Sequence, residues 1–316
     1  MILTVTLNAA IDKRYVIENL QPDSVMRVKE VTCSAGGKGL NVSRIAVIAG
    51  EKVTATGFIG GHAGNYIAES IEEMNIKNAF VKIQGESRTC INIYDETKHT
   101  QTELLEPGVH VTDSDKEEFL KNYTRLVKNC SVVAISGSVP KGVDSSLYKS
   151  LIMIAKDIGK KVILDTSGTL LSDCIAAGPT MIKPNLDEIK LLTGEDMLGM
   201  EDIVQAAVRI HKSGVEIVNV TLGGDGAIVA CREGIYRAVV PKLDTVNTVG
   251  CGDAATAGFA IGLSRGLSME DTIRLASAIS AASAMRIETG FYLPKDMEDL
   301  LPRITVEKIR EIEKEN

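Results

Sequence analysis

The segment Asn247-Thr248-Val249-Gly250-Cys251-Gly252-Asp253-Ala254, which runs directly into the small-residue stretch Ala255 to Leu263, governs the reading of this chain. Two glycines flanking one small residue let the backbone turn tightly into a helix. The amides of Gly250, Cys251 and Gly252 can then converge on an anion. Asp253 falls in the first helical turn, so a proton acceptor stands beside donors that stabilise negative charge. The same letters also suit an ordinary capped helix after a turn.

A second glycine cluster, Ala35-Gly36-Gly37-Lys38-Gly39-Leu40-Asn41-Val42, precedes the apolar-periodic segment Val42 to Ala49 and predicts a flexible loop feeding a helix that Gly50 stops. Within that loop Lys38 supplies a cation and Asn41 a neutral donor and acceptor, groups suited to sugar hydroxyls. It is not a Walker A loop, because Gly39 rather than Ser or Thr follows Lys38. Gly36, Gly37 and Gly39 also lack the dinucleotide-binding G-x-G-x-x-G spacing.

A chain of 316 residues without a long Pro/Ser/Gly linker reads as one domain spanning 1–316. A formal charge of −7 and the absence of a long basic block argue against nucleic acid as the main partner. The six cysteines are scattered without a C-x-x-C pair, as reduced and mostly buried thiols would be. No basic leader precedes the apolar strand Ile2 to Leu7 and no membrane-length apolar span follows, so the expected address is the cytoplasm, with no membrane partner.

Beyond residue 110 the pattern alternates between helix and strand. Helices are predicted over Ser114–Lys128, Ser145–Asp157, Leu170–Ala176, Asp187–Leu192 and Glu201–His211. Strands are predicted over Val132–Ser136, Lys161–Leu164, Met181–Lys183 and Ile217–Leu222. Near-continuous apolar strands in this order imply an α/β fold with a doubly wound, mostly parallel sheet flanked by helices. Two regions break the rhythm. Approximately 13–33 and 88–105 hold short alternating stretches, such as Tyr15-Val16-Ile17 and Cys90-Ile91-Asn92-Ile93-Tyr94, without intervening helices. They are expected to form a small β-sheet lid that brings Asp12, Arg27 and Arg88 to one pocket, and whose edges could pair two copies as a homodimer; plain surface hairpins are the alternative reading of the same stretches.

Ligands of open parallel sheets sit beyond the carboxyl ends of the strands. Asn8 and Asp12, Gly137 and Ser138, Asp165, and Lys183-Pro184-Asn185 all follow apolar runs, although each alone is also a common cap or turn former. Asn185 and Glu188 are three residues apart and face one side of a nascent helix. They could hold Mg2+ through water, or simply form an acidic first turn. Thr221-Leu222-Gly223-Gly224-Asp225-Gly226-Ala227 joins two apolar strands, against which a nucleotide could lie, though a plain hairpin explains the same letters. The four histidines have no metal-ligand spacing and receive no role.

Taken together these motifs resemble the ribokinase-like, or PfkB, carbohydrate kinases over nearly the whole chain. Gly37 to Asn41, with Gly50 and Gly60, looks like that family's first signature, and Asn247 to Gly258 like its second. Thr6 to Asp12, Glu86 to Thr89, Ser136 to Pro140, Asp165 to Gly168 and Lys183 to Asn185 are similar to the branch acting on hexose phosphates, which includes 1-phosphofructokinase and tagatose-6-phosphate kinase. Ala35 before Gly36-Gly37, and Thr102 to Gly108, lean toward the tagatose-6-phosphate side. Cys251 departs from the usual alanine or glycine and is expected to crowd the anion hole or react as a thiol.

The resemblance implies a ribokinase-like fold and ATP-dependent phosphorylation of a ketohexose monophosphate to a bisphosphate. It implies Asp253 as the base and Gly250, Cys251 and Gly252 as the anion hole. Asp12, Gly37, Lys38 and Asn41 would grip the sugar, while Arg88, Arg27 and Ser138 would meet its phosphate. Lys183, Asn185, Glu188, Thr221, Gly223, Gly226 and Thr248 would serve ATP and Mg2+. Three other readings fit fewer residues: a sugar-phosphate sensor without turnover, a kinase of another sugar or nucleoside, and a nicotinamide-dependent enzyme.

Overall fold

In the computed structural model, which describes residues 1–197 and 199–312, the alternation closes into one large sheet. Its strands lie in the order Thr305–Arg310, Gly234–Val239, Ala227–Cys231, Ile217–Thr221, Met181–Ile182, Lys161–Asp165, Val132–Ser136, Ile2–Thr6, Val53–Ile59 and Lys77–Asn78, with Val81–Lys82 also on Val53–Ile59. From Ile217–Thr221 to Lys77–Asn78 every neighbour is parallel. The other edge is antiparallel; beyond the hairpin of Ile217–Thr221 and Ala227–Cys231, the alternation did not foretell its outer pair, since Gly234–Val239 and Thr305–Arg310 are separated by helices rather than by a turn.

The central strands carry apolar residues on both faces because both are covered. Ile2 and Val132 point into one core and Leu3 and Val133 into the other. Lys38–Ile48, Gly61–Glu73, Cys251–Arg265, Met269–Ala284 and Pro294–Leu300 cover the first face. Asp113–Val127, Ser145–Asp157, Gly168–Ile175, Leu186–Thr193 and Met200–Lys212 cover the second. The small residues of Cys251–Arg265 permit a close crossing: a Cβ on Gly258 would sit 2.3 Å from Ala276 Cα.

The predicted boundaries shift at one functional point. The first glycine cluster is shorter as a loop than its letters suggest: the helix begins at Lys38, with Gly37 as its cap at φ 105°, so Lys38 and Asn41 stand on the first helical turn. The Ile217 hairpin forms as expected, turning through Gly223–Asp225.

The expected lid is a separate four-stranded sheet of Glu30–Gly36, Ala10–Ile17, Arg88–Asp95 and Thr100–Leu105, in that order. Ala10 pairs with both Gly36 and Arg88 at the end joined to the large sheet, while Val16 pairs with Glu30 at the far end. Among the described residues no helix is long and apolar enough to cross a membrane.

Candidate active site

The carboxyl ends of the parallel strands and the near end of the small sheet enclose a cavity of about 1700 Å³. Gly250 caps the helix Cys251–Arg265 in a left-handed conformation, φ 83°, which aims that helix's first turn into it. Gly252 and Asp253 occupy positions whose N–H groups have no intrahelical acceptor. The amide of Cys251 donates to Thr248 O at 3.3 Å, so it is less free than the sequence suggested. Burial and then the neighbouring Asp253 push the Cys251 thiol up to about 11, which disfavours its thiolate form.

Asp253 is 5% exposed. Burial drives its carboxyl up to about 6; Lys38 opposes that shift, Asp165 adds to it, and the Asn41 hydrogen bond and Lys183 oppose it again. Asn41 Nδ2 donates to Asp253 Oδ2 at 2.7 Å. Lys38 Nζ donates to Asp165 Oδ1 at 3.1 Å, and Lys183 Nζ lies 3.6 Å from the same oxygen. Thr256 Oγ1 donates to Asp165 Oδ2 at 2.9 Å. Burial alone would raise Asp165, but Lys183 and Lys38 outweigh it and hold the carboxyl near 2. The two buried carboxyls thereby titrate well apart, Asp165 near 2 and Asp253 near 6.

Strand register explains this clustering. Thr6, Ser136, Asp165, Lys183 and Asn219 fall side by side across five neighbouring strands when the strand register is followed to the ends of the ladders and one residue beyond. All five are buried and line or adjoin the cavity floor. Among the described residues, Thr6 Oγ1, Ser136 Oγ and Asn219 Oδ1 have no hydrogen-bond partner within the chain. A Cβ on Gly252 would lie 3.0 Å from Lys183 Nζ, so glycine leaves room for the ammonium at the helix start.

On the lid side, Asp12 lies against Gly36, where a Cβ would come within 2.0 Å of its Cγ. Burial raises its carboxyl, with Arg44, the Gly37 amide and Arg88 opposing. Arg88 is anchored by its Nε to Asn8 O and its Nη1 to Glu106 O, both at 3.1 Å. Ser138 Oγ accepts from Asn8 Nδ2 at 3.2 Å. Arg27 is not brought to this cavity. It is exposed in the connection beyond the Val16–Glu30 pair, so the strand carries it to the far end of the lid.

Asn185, Glu188, Thr221, Gly223, Gly226 and Thr248 line the opposite half. Asn185 and Glu188 also cap their helix reciprocally, at 2.8 and 2.9 Å, so the acidic-turn reading and the cavity location hold together. Gly226 is required for a different reason: a Cβ there would meet Ala238 O at 2.0 Å. The sequence reading missed the rest of this half, formed by Val240, Lys242, Leu243, Ala276, Ser280 and Ala284. Their small or apolar letters carry no signal until two distant segments are brought together.

A carboxylate of raised pKa at a helix start, two lysines across from it and a large cavity over a parallel sheet are the equipment of a small-molecule phosphotransferase. A profile described as pfkB family carbohydrate kinase matches residues 4–296, and the chain belongs to that family. It is 38% identical to tagatose-6-phosphate kinase from Staphylococcus epidermidis over 309 residues, covering 97% of this chain and 99% of the relative. Among solved structures it is similar to phosphofructokinase-2 from Escherichia coli, with a TM-score of 0.90, 26% identity and coverage of 96% and 98% of the two chains. A possible 1-phosphofructokinase from Thermotoga maritima gives a TM-score of 0.89 at 30% identity, with coverage of 98% and 100%.

Proposed function

We propose that this protein transfers the γ-phosphoryl group of ATP to a hydroxyl of a ketohexose monophosphate, giving a bisphosphate, with tagatose 6-phosphate as first candidate and fructose 1-phosphate as second. The observation that carries the reading is that Asp253, the helix-start amides and Arg88 all open into one cavity.

In this reading Asp253 takes the proton of the accepting hydroxyl, and Gly252 with its neighbours Gly250 and Cys251 stabilises the transferred group. Asp12, Gly37, Lys38 and Asn41 orient the sugar. Arg88 holds its phosphate with Ser138 alongside, using the guanidinium N–H groups left free by its two carbonyl anchors. Lys183, Thr221, Gly223, Gly226 and Thr248 receive the nucleotide. Little covalent chemistry falls to the protein, which aligns the partners and offsets charge.

Oxygen donors suit Mg2+, and this cavity offers the carboxylate of Glu188, the amide of Asn185 and the orphaned Oδ1 of Asn219. Asn185 and Glu188 would hold the ion through water, since both also serve the helix cap. The ion would supply neutralisation of phosphate charge.

The chain acts as one kinase domain over 1–316, with the small sheet as a lid that excludes water. The lid's outer residues Val31 and Leu104 are exposed and offer a seat for a second copy. The free thiols suit the cytoplasm.

A coupled ADP-release screen across tagatose 6-phosphate, fructose 1-phosphate, fructose 6-phosphate and the free sugars, with and without Mg2+, tests the reading. Turnover should be highest with a ketohexose monophosphate and require the ion. Binding of these sugars without ADP release would instead establish a sensor.

A further inference from the structure

Arg44 lies on the inward face of the helix Lys38–Ile48, one turn beyond Asn41, and no motif singles it out. Its guanidinium holds three separate parts of the site. Nη1 donates to Ala35 O at 2.7 Å, at the entry to the glycine turn. Nη2 donates to Thr289 O at 3.0 Å and, in a very short contact, to Asn41 Oδ1. Thr289 in turn packs on the cap of the other helix, since a Cβ on Gly250 would come within 2.6 Å of its Cγ2. Gly290 fits closely against Arg44 and Asn41, with a Cβ there reaching 2.9 Å from Arg44 Nη2 and 3.0 Å from Asn41 Oδ1.

An asparagine amide can present either end, and its neighbours decide which. Asn41 has a cationic donor on one side and a carboxylate on the other. Arg44 claims Oδ1, which leaves Nδ2 facing Asp253. We propose that Arg44 is a positioning residue for the transfer reaction: by fixing the Asn41 amide and tying the glycine turn to the Thr289 segment, it sets the orientation and charge state of Asp253. The inference rests on the phosphotransfer reading above.

Several charged groups face Asp253. Lys38 and Arg44 come from the first helix, Asp165 from its strand and Lys183 from the segment after Met181–Ile182. The thiol of Cys251 is on Asp253's own helix. The packed helix Met269–Ala284 contributes Ser277 and Ser280 to the cavity and no charge. Loss of Arg44 removes one cation from this set and frees the Asn41 amide to rotate. Both changes disfavour the Asp253 carboxylate.

The test compares wild type with Arg44→Gln and Arg44→Lys. Lysine keeps the charge but cannot span three carbonyl-type acceptors with a single ammonium. In Arg44→Gln, kcat for the best substrate of the wild type should fall roughly tenfold or more, as small misplacements of a reacting group do. KM for ATP should stay within about twofold, a change too small to signal a lost nucleotide contact. The acid limb of the kcat profile should move to higher pH, and Arg44→Lys should lie between the two.

Carbon-13 titration of the Asp253 carboxyl in the ligand-free protein gives the same comparison without turnover. If the wild type has no kinase activity, the reaction assignment fails while the titration still judges Arg44. An unchanged Asp253 titration in Arg44→Gln, with only thermal stability lowered, would make Arg44 a purely structural strut and overturn the proposal. If Arg44→Gln does not fold, the same two measurements on Arg44→Lys decide it.

Discussion

Asn41 Nδ2 donates to Asp253 Oδ2 at 2.7 Å, joining the first turns of two helices that begin 213 residues apart, at Lys38 and Cys251. Each glycine motif thus delivers one half of a single polar contact. The two signatures are parts of one site because the helices carrying them pack side by side on the same face of the sheet.

The first consequence concerns pH. Asp253 must be ionised to accept a proton, and burial pushes its carboxyl up to about 6. The rate kcat/KM should therefore fall as pH drops through about 6, with unit slope on a logarithmic plot. An acid limb near 4, the range of an ordinary carboxylate, would show that another group limits the reaction.

Replacing Asp253 with Asn should cut kcat by roughly two or more orders of magnitude while sugar-phosphate binding by calorimetry survives. It should also stabilise the fold. The folded carboxyl sits near 6 against an ordinary 3.8, so the wild type loses stability as pH rises through that interval. The gain in Asp253→Asn should accordingly be absent near pH 4 and complete above about 7, reaching at most about 3 kcal/mol. Urea unfolding of both proteins at pH 4.5 and 8 checks this, and equal stability at both values would remove the buried-charge argument.

Arg88→Ala should act on affinity. The phosphate already on the sugar is held in ground and transition states alike, so KM for the sugar phosphate should rise at least about tenfold with kcat little altered. Initial-rate kinetics at saturating ATP measure both constants. A fall in kcat at constant KM would relocate Arg88 to the transferred phosphoryl group.

Gly258→Ala probes the packing that supports the site. A Cβ at this position would lie 2.3 Å from Ala276 Cα and 2.8 Å from Ala276 Cβ, so the helices Cys251–Arg265 and Met269–Ala284 must separate. Overpacking of this kind should cost about 1–3 kcal/mol, despite alanine's better helix propensity. Thermal melting would detect it, and an unchanged Tm would mean that the crossing gives way easily.

The strands Val132–Ser136 and Ile217–Thr221 were legible because buried parallel strands are written as apolar runs, and the two glycine turns because few other residues allow such backbone approach. Asp12, Lys38, Asn41, Arg88 and Asp253 were legible through their motifs. The early start of the helix at Lys38 was not, since Gly37 and Gly39 lower local helix propensity while close contact with the first strand secures the turn. A Cβ on Gly39 would reach Thr6 Oγ1 at 2.3 Å. The position of Arg27, outside this chain's cavity, was not legible, because alternation locates a strand without saying which end meets the cavity.

By itself, the sequence determined the α/β alternation, the two glycine turns and the carboxylate beside the second of them, because each is written in local periodicity or in residues whose backbone freedom is distinctive. Only the tertiary structure decided that Asp165 is the shared partner of Lys38 and Lys183, that Arg44 straps Asn41 in place, and that Arg27 lies at the far end of the lid. Those outcomes depend on strand register and helix packing between segments far apart in the chain. Burial and neighbouring charge, which set how each group ionises, arise only when those segments meet.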